Sequence, residues 1–198
     1  MKTVVSLSLF ILFFWAGTAQ SQVRVQKGKL SVLKGTKQIA VKFTYDNMAV
    51  GKFKKEQDYV NKKVADYNKK EAGRGDKWKE AWVNDRETRF EPKFIELFEK
   101  NAPVKLAKAP AETKYTMIVN TDFTEPGFNI AVMRKFAEIR TTVTIVETAS
   151  NKTVAVLSAA GPGRTYGGYD FDTGLRIAEA YAKTGKDLGK YIYKKGLK

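Results

Sequence analysis

The sequence predicts a single α+β domain: a mixed or mainly antiparallel sheet of about five strands with helices packed on one side, in the order β-β-α-α-β-β-β-α. Three observations carry this expectation. Apolar side chains alternate with polar ones in segments near both ends of the chain, the signature of half-buried strands. Between and after those segments the apolar period changes to that of amphipathic helices. Finally, 198 residues with 43% hydrophobic and 29% charged side chains and 5 prolines make a chain that folds, and one sized for a single unit.

The elements follow in chain order. Residues 29–33 and 38–45, separated by Lys34, Gly35 and Thr36, read as a hairpin with Ile39, Val41, Phe43 and Tyr45 on one face. Phe53, Val60, Val64 and Tyr67 then recur at helical spacing, predicting a helix over about 54–70. Gly73 and Gly75 break it, and Asp76 stands where it would cap the next helix, which carries Trp78, Ala81 and Trp82. Pro92 bends or restarts that helix near Glu91, and Phe90, Phe94, Leu97 and Phe98 face the core until about Lys100. With Pro103 and Pro110, residues 102–113 read as a connector. Tyr115, Met117 and Val119 alternate, as do Ile139, Thr141, Val143 and Ile145, and 154–159 is a short apolar run. These are three strands, the last two joined by a hairpin-length loop at 148–152. The clearest helix runs over about 173–193, with Ile177, Ala178, Tyr181, Leu188 and Ile192 as its apolar stripe and Asp172 or Thr173 as its cap.

Composition removes most chemistry. The chain has 0 cysteines and 0 histidines, which excludes disulfides, thiolate zinc sites, cysteine nucleophiles and imidazole acid–base catalysis. Lys2, the apolar run over 4–16 and the small residues Ala19 and Ser21 have the pattern of a secretory signal. At 1.5 Å per residue that run is too short for a ~30 Å hydrocarbon core. Residues 1–21 are therefore read as a signal peptide and 22–198 as one exported domain, periplasmic or secreted and not membrane-spanning once the signal is removed. The formal net charge is +15, a field that attracts polyanions. Lysines outnumber arginines 28 to 8, and lysine is a hydrated point charge rather than a bidentate phosphate clamp. The reading is of a solvated basic surface, with binding of anionic polymers or a membrane surface as the alternative and no specific nucleic-acid role.

Two loops stand out. Residues 122–136 place Phe128, Ile130, Val132, Met133 and Phe136 after a Glu125-Pro126-Gly127 turn, an apolar load that serves either as a partner-binding lip or as satellite core and a short extra strand. Residues 161–174 are glycine-rich and display Arg164, Tyr166, Tyr169 and Phe171, side chains suited to protein or sugar recognition. The glycine spacing resembles a dinucleotide loop, yet Asp170 and Asp172 would repel phosphate, and no cofactor is expected. Arg164, Tyr166, Tyr169, Phe171, Phe128, Ile130 and Met133 are thus the candidate partner-binding residues. The surviving enzymatic alternative is a carboxylate-dependent hydrolase built on Glu125 with Asp170 or Asp172.

The strand QIAVKFTYDN, opening with Ile39-Ala40-Val41 and followed by an amphipathic helix, a later strand pair and a long terminal helix, resembles the small periplasmic α/β accessory domains of the TolB amino-terminal, CsgG and LpoB type. The resemblance runs over about 38–192 and lies in element order; the lipid-bearing cysteine common in that group is absent. It implies an accessory or assembly module of the cell envelope, with an envelope protein or glycan as partner. The expected function is accordingly non-enzymatic binding of another envelope component.

Overall fold

The computed structural model describes residues 22–165 and 171–198. The chain forms a mixed sheet with helices on one face. Its elements are β1 (Gln22–Gly28), β2 (Gln38–Thr44), β3 (Ala49–Val50), α1 (Glu56–Asn68), α2 (Arg74–Asp85), α3 (Glu91–Glu99), β4 (Lys105–Lys108), β5 (Tyr115–Glu125), β6 (Phe128–Asn129), β7 (Arg134–Lys135), β8 (Ala137–Glu147), β9 (Thr153–Gly163) and α4 (Thr173–Ile192). The principal sheet has seven strands in the order β1-β9-β8-β5-β2-β4, with β3 paired to β5, while β6 and β7 form a separate two-stranded ribbon. β1, β9, β8 and β5 run antiparallel; β5, β2 and β4 run parallel. Parallel neighbours need a crossover, and α1 to α3 supply it between β2 and β4.

Alternation of burial along β5, β8 and β9, broken once in β5 and once in β8 where the register shifts, shows which face is covered. Met117, Val119, Ile139, Val143, Ile145 and Leu157 are fully buried and pack in one core with Phe94, Phe98, Ile177, Tyr181, Leu188 and Ile192 from α3 and α4. Tyr181 lies flat on Phe90 at 5.1 Å, and its hydroxyl shares a 2.6 Å hydrogen bond with that of Thr121 on β5. Thr116, Asn120, Thr142 and Thr144 alternate onto the opposite, half-exposed face. There Asp122 accepts hydrogen bonds from Asn120 and Thr142, each at 2.7 Å.

Five sequence expectations change. The sheet has more than five strands. The amino-terminal hairpin does not form: Leu30–Leu33 is a 3-10 turn, and its two leucines, three residues apart, both drop into the core. The strand preceding β2 is β1, which crosses the whole sheet to pair with β9. The connector at 102–113 contains β4, added to the β2 edge through backbone hydrogen bonds that a Lys-Leu-Ala-Lys pattern hardly advertises. Finally, Asp76 does not cap α2. Gly73 occupies that position with φ +78°, Asp76 lies in the first turn, and Gly75 is buried where a Cβ would meet the Val64 carbonyl at 2.3 Å.

The restart at Pro92 is present. A π-helical turn over Arg86–Phe90 joins α2 to α3, and Pro92 stands in the first turn of α3. Such wide turns re-aim side chains. Here Arg86 lies over the Tyr45 ring at 4.0 Å and pairs with Glu56, while Arg89 reaches back to Asp85 at 3.0 Å.

Candidate functional site

The carboxyl ends of β5 and β9 lie at one end of the sheet, and the two loops singled out in the sequence both emerge there. β5 ends in a tight turn whose Gly127 has φ +64°, a left-handed conformation that suits glycine; a Cβ there would also meet the Lys135 carbonyl at 2.4 Å. The turn is closed by Glu125, which accepts the Gly127 amide at 3.1 Å and pairs with Lys135 at 2.5 Å. Phe128 pairs with Lys135 and Asn129 with Arg134 to make the β6-β7 ribbon. Its tip is held by Asn129, whose side chain accepts the Ala131 amide at 2.9 Å, and by the Ile130 amide donating to the Met133 carbonyl at 3.0 Å.

This ribbon fits the extra-strand reading of the loop. It is a short extra strand pair, and its apolar side chains nevertheless face solvent: Phe128 is 38% exposed, Ile130 58%, Met133 58% and Val132 88%. Phe171, on the second loop, is 64% exposed. Phe136 instead turns inward under two guanidinium groups, Arg134 at 5.2 Å and Arg164 at 5.8 Å. Arg164 therefore bridges the loops as well as belonging to one of them.

A second bridge comes from a residue that sequence reasoning missed. Arg176, in the first turns of α4, is 3% exposed. It donates to the Pro126 carbonyl at 3.2 Å, to the Gly127 carbonyl at 3.3 Å and to the Thr173 hydroxyl at 2.9 Å. The one signal in the sequence is spacing: Arg176 stands four residues before Ala180 and twelve before Leu188, on the helix face that is buried, where a guanidinium demands acceptors. The α4 cap is as expected: Asp172 accepts the Leu175 amide at 3.1 Å. It also pairs with Arg89 at 3.0 Å. Burial pushes the Asp172 carboxyl up, but the Leu175 amide and the Arg89 guanidinium outweigh it and hold the group below the usual aspartate value.

The first two glycines of the segment read as a loop are strand residues. Gly161 and Gly163 belong to β9 and let it touch α4: a Cβ on Gly163 would stand 2.0 Å from the Arg176 carbonyl oxygen. Of the seven candidate residues, Arg164, Phe171, Phe128, Ile130 and Met133 are gathered at this end; Tyr166 and Tyr169 lie outside the described residues, as does Asp170. Glu125 and Asp172, the described members of the hydrolase alternative, are committed to Lys135 and to the helix cap with Arg89. Among the described residues, no group of three or more acidic side chains could hold a metal ion, and no helix is long and apolar enough to cross a membrane.

The lysine excess is spread out. Lys62, Lys93, Lys100, Lys105, Lys108 and Lys183 each lie on a carboxylate, from α1 through α4.

No protein-family model matches the chain, and no curated protein does. Solved structures similar to it include a PelC dodecamer from Paraburkholderia phytofirmans, at 10% identity and TM-score 0.45, covering 88% of this chain and 98% of that one. Protein XCC0632 from Xanthomonas campestris, of the DUF330 family, aligns at 9% identity and TM-score 0.39 over 80% of this chain and 84% of its own. Hypothetical protein CT253 from Chlamydia trachomatis aligns at 8% identity and TM-score 0.36 over 79% and 98%.

Proposed function

We propose that the protein is a non-enzymatic module that acts outside the cytoplasmic membrane, after removal of residues 1–21, by binding another component of the cell envelope. The contact surface is the joined pair of loops, with Phe128, Ile130, Met133 and Phe171 as apolar anchors and Arg164 beside them; Tyr166 and Tyr169, which the sequence also offers, belong to the same loop as Arg164. One observation supports this reading above others. Arg176 and Arg164 tie together two loops that are otherwise separate in sequence, and the surface so made leaves four large apolar side chains of the β6-β7 ribbon in water. A contiguous exposed apolar patch rimmed by charge is costly unless something covers it. The envelope accessory domains that the element order resembles fit the same role. Binding of anionic polymers through lysine is the alternative, with the paired lysines dispersed from α1 to α4 rather than gathered in one patch.

The test places a photo-crosslinking amino acid at position 132 in cells producing the chain. A discrete adduct is expected, lost when Met133→Asp or Arg164→Ala is added, and absent when the crosslinker replaces Lys54, which lies before α1. Adducts that form equally from both positions, or persist in both variants, overturn the assignment.

A further inference from the structure

A second feature lies beside the β6-β7 ribbon and shares Asp172 and Gly174 with the end of the second loop. α1, α2 and the start of α4 enclose a cleft of about 250 Å³. One wall is aromatic. Trp78 and Trp82, four residues apart on α2, stack at 5.6 Å, and Tyr67 of α1 meets Trp78 at 5.8 Å. Trp82 is the floor; it is buried, and its indole N–H is spent on Glu56 at 2.5 Å. Trp78 is only half-buried and lines the cleft. The rest of the lining is partly ionic. Arg89 bridges Asp85 and Asp172, at 3.0 Å to each. Gly174 allows that cluster to close, since a Cβ there would come within 2.2 Å of the Asp85 carboxylate and 2.7 Å of the Arg89 guanidinium.

Few ligand classes suit such a cleft. A purely apolar molecule would strand two carboxylates and a guanidinium without water. A phosphate or nucleotide would meet two negative charges against one positive. The volume lies below the ~300–1,000 Å³ of ordinary small-molecule sites, so the occupant is small. A sugar ring has both surfaces the cleft offers: an apolar C–H face for an aromatic platform, and a rim of hydroxyls for groups that donate and accept in a fixed fork.

We infer that this cleft binds one pyranose ring of a glycan, packed on Trp78 and hydrogen-bonded through its hydroxyls to Asp85, Arg89 and Asp172. Burial raises the Asp85 carboxyl above the usual aspartate value, Arg89 lowers it and Asp172 raises it further. An under-hydrated carboxylate of this kind gains from a ligand hydroxyl donating to it. The inference goes beyond the envelope-binding reading and does not rest on it.

Isothermal titration of the purified protein with glucose, galactose, N-acetylglucosamine and their β-1,4-linked disaccharides tests it, read in parallel by tryptophan emission. Trp78 and Trp82 are the only tryptophans among the described residues, so the emission reports on the cleft wall. Saturable binding of at least one of these sugars is expected, weakened tenfold or more in Trp78→Ala and in Asp85→Asn. Asp85→Asn keeps size and shape and guards against a Trp78 variant that merely unfolds; circular dichroism checks both. Met133→Asp, in the ribbon, leaves sugar binding unchanged while removing the adduct formed from position 132, which separates the two readings. No saturable response to any of these sugars overturns the inference. So does a response equal to wild type in Asp85→Asn, or a response to free lysine or inorganic phosphate without one to sugar.

Discussion

The guanidinium of Arg176 donates to the carbonyl of Gly127 across 3.3 Å, joining the first turns of the last helix to the turn that launches the β6-β7 ribbon. Forty-nine residues separate the two partners in the chain. The bond converts a helix and a strand turn into one rigid corner.

Replacing Arg176 by methionine keeps the aliphatic stem and strips the carbonyls of Pro126 and Gly127 of their donor. Buried acceptors left without partners cost about 2–3 kcal/mol in total. Urea denaturation should show a loss of that size. Trypsin should also cut faster after Arg134 and Lys135, since the ribbon is no longer anchored. An unchanged midpoint with unchanged cleavage would mean the corner is held by other contacts.

Gly163→Ala and Gly35→Ala separate close packing from backbone conformation. At Gly163 the new methyl would overlap the Arg176 carbonyl oxygen and approach the Ala180 amide at 2.9 Å, both rigid helix backbone. Overpacking of this kind costs about 2–3 kcal/mol. At Gly35 the space is open, and only φ +77° resists, at about 1 kcal/mol. Thermal melts should rank the two variants in that order.

Tyr181 and Thr121 share one hydrogen bond in a site closed to water, with exposures of 1% and 0%. Tyr181→Phe or Thr121→Val alone should each cost about 1–2 kcal/mol, because each removes the other's partner in this buried bond. The double variant should cost clearly less than the sum, as a double-mutant cycle would read. Additive losses would rule out a direct coupling.

The same tyrosine makes alkaline stability testable. Burial pushes the Tyr181 hydroxyl well above its ordinary value of about 10, and it acts likewise on Tyr45 and Tyr59. In the unfolded chain these groups ionise near pH 10, while in the fold they remain neutral. Their contribution is therefore complete below pH 10 and drains away as pH climbs towards the raised native values, by up to about 1.4 kcal/mol per pH unit for Tyr181. Denaturation midpoints followed from pH 9 to 12 should fall, and fall less steeply in Tyr181→Phe.

Val132→Asp contrasts with Phe94→Ala. Val132 is 88% exposed, so its substitution should leave stability within about 0.5 kcal/mol of wild type. Phe94 is 0% exposed, meets Phe43 edge-on at 5.3 Å, and should cost about 3–5 kcal/mol when cut back. Calorimetry on both decides whether the ribbon tip is spare to the fold, as the binding reading requires.

Local periodicity reached some elements and not others. β5, β8, β9 and α4 were legible because each buries one face, and the face repeats at intervals of two or of three and four residues. β1 and β4 were not. β1 is an edge strand, largely solvent-exposed apart from its backbone pairing with β9. β4 buries only Leu106 well and sits between two prolines. In each, backbone pairing to a distant partner does what side-chain pattern does elsewhere, and a single chain segment carries no record of that partner. Leu30 and Leu33 misled for a related reason: two apolar residues three apart serve a 3-10 turn as readily as a strand end.

By itself the sequence determined the class of fold, the two loops worth examining, the Asp172 cap and the absence of thiol and imidazole chemistry, because composition and short-range spacing suffice for these. Tertiary structure alone decided that the loops meet, that Arg164 and Arg176 join them, and that Trp78 on α2 and Asp172 at the start of α4 line one cleft. Those juxtapositions depend on how helices and strands far apart in the chain close on one another, and free energy of that kind is spread over the whole core rather than written in any one stretch of residues.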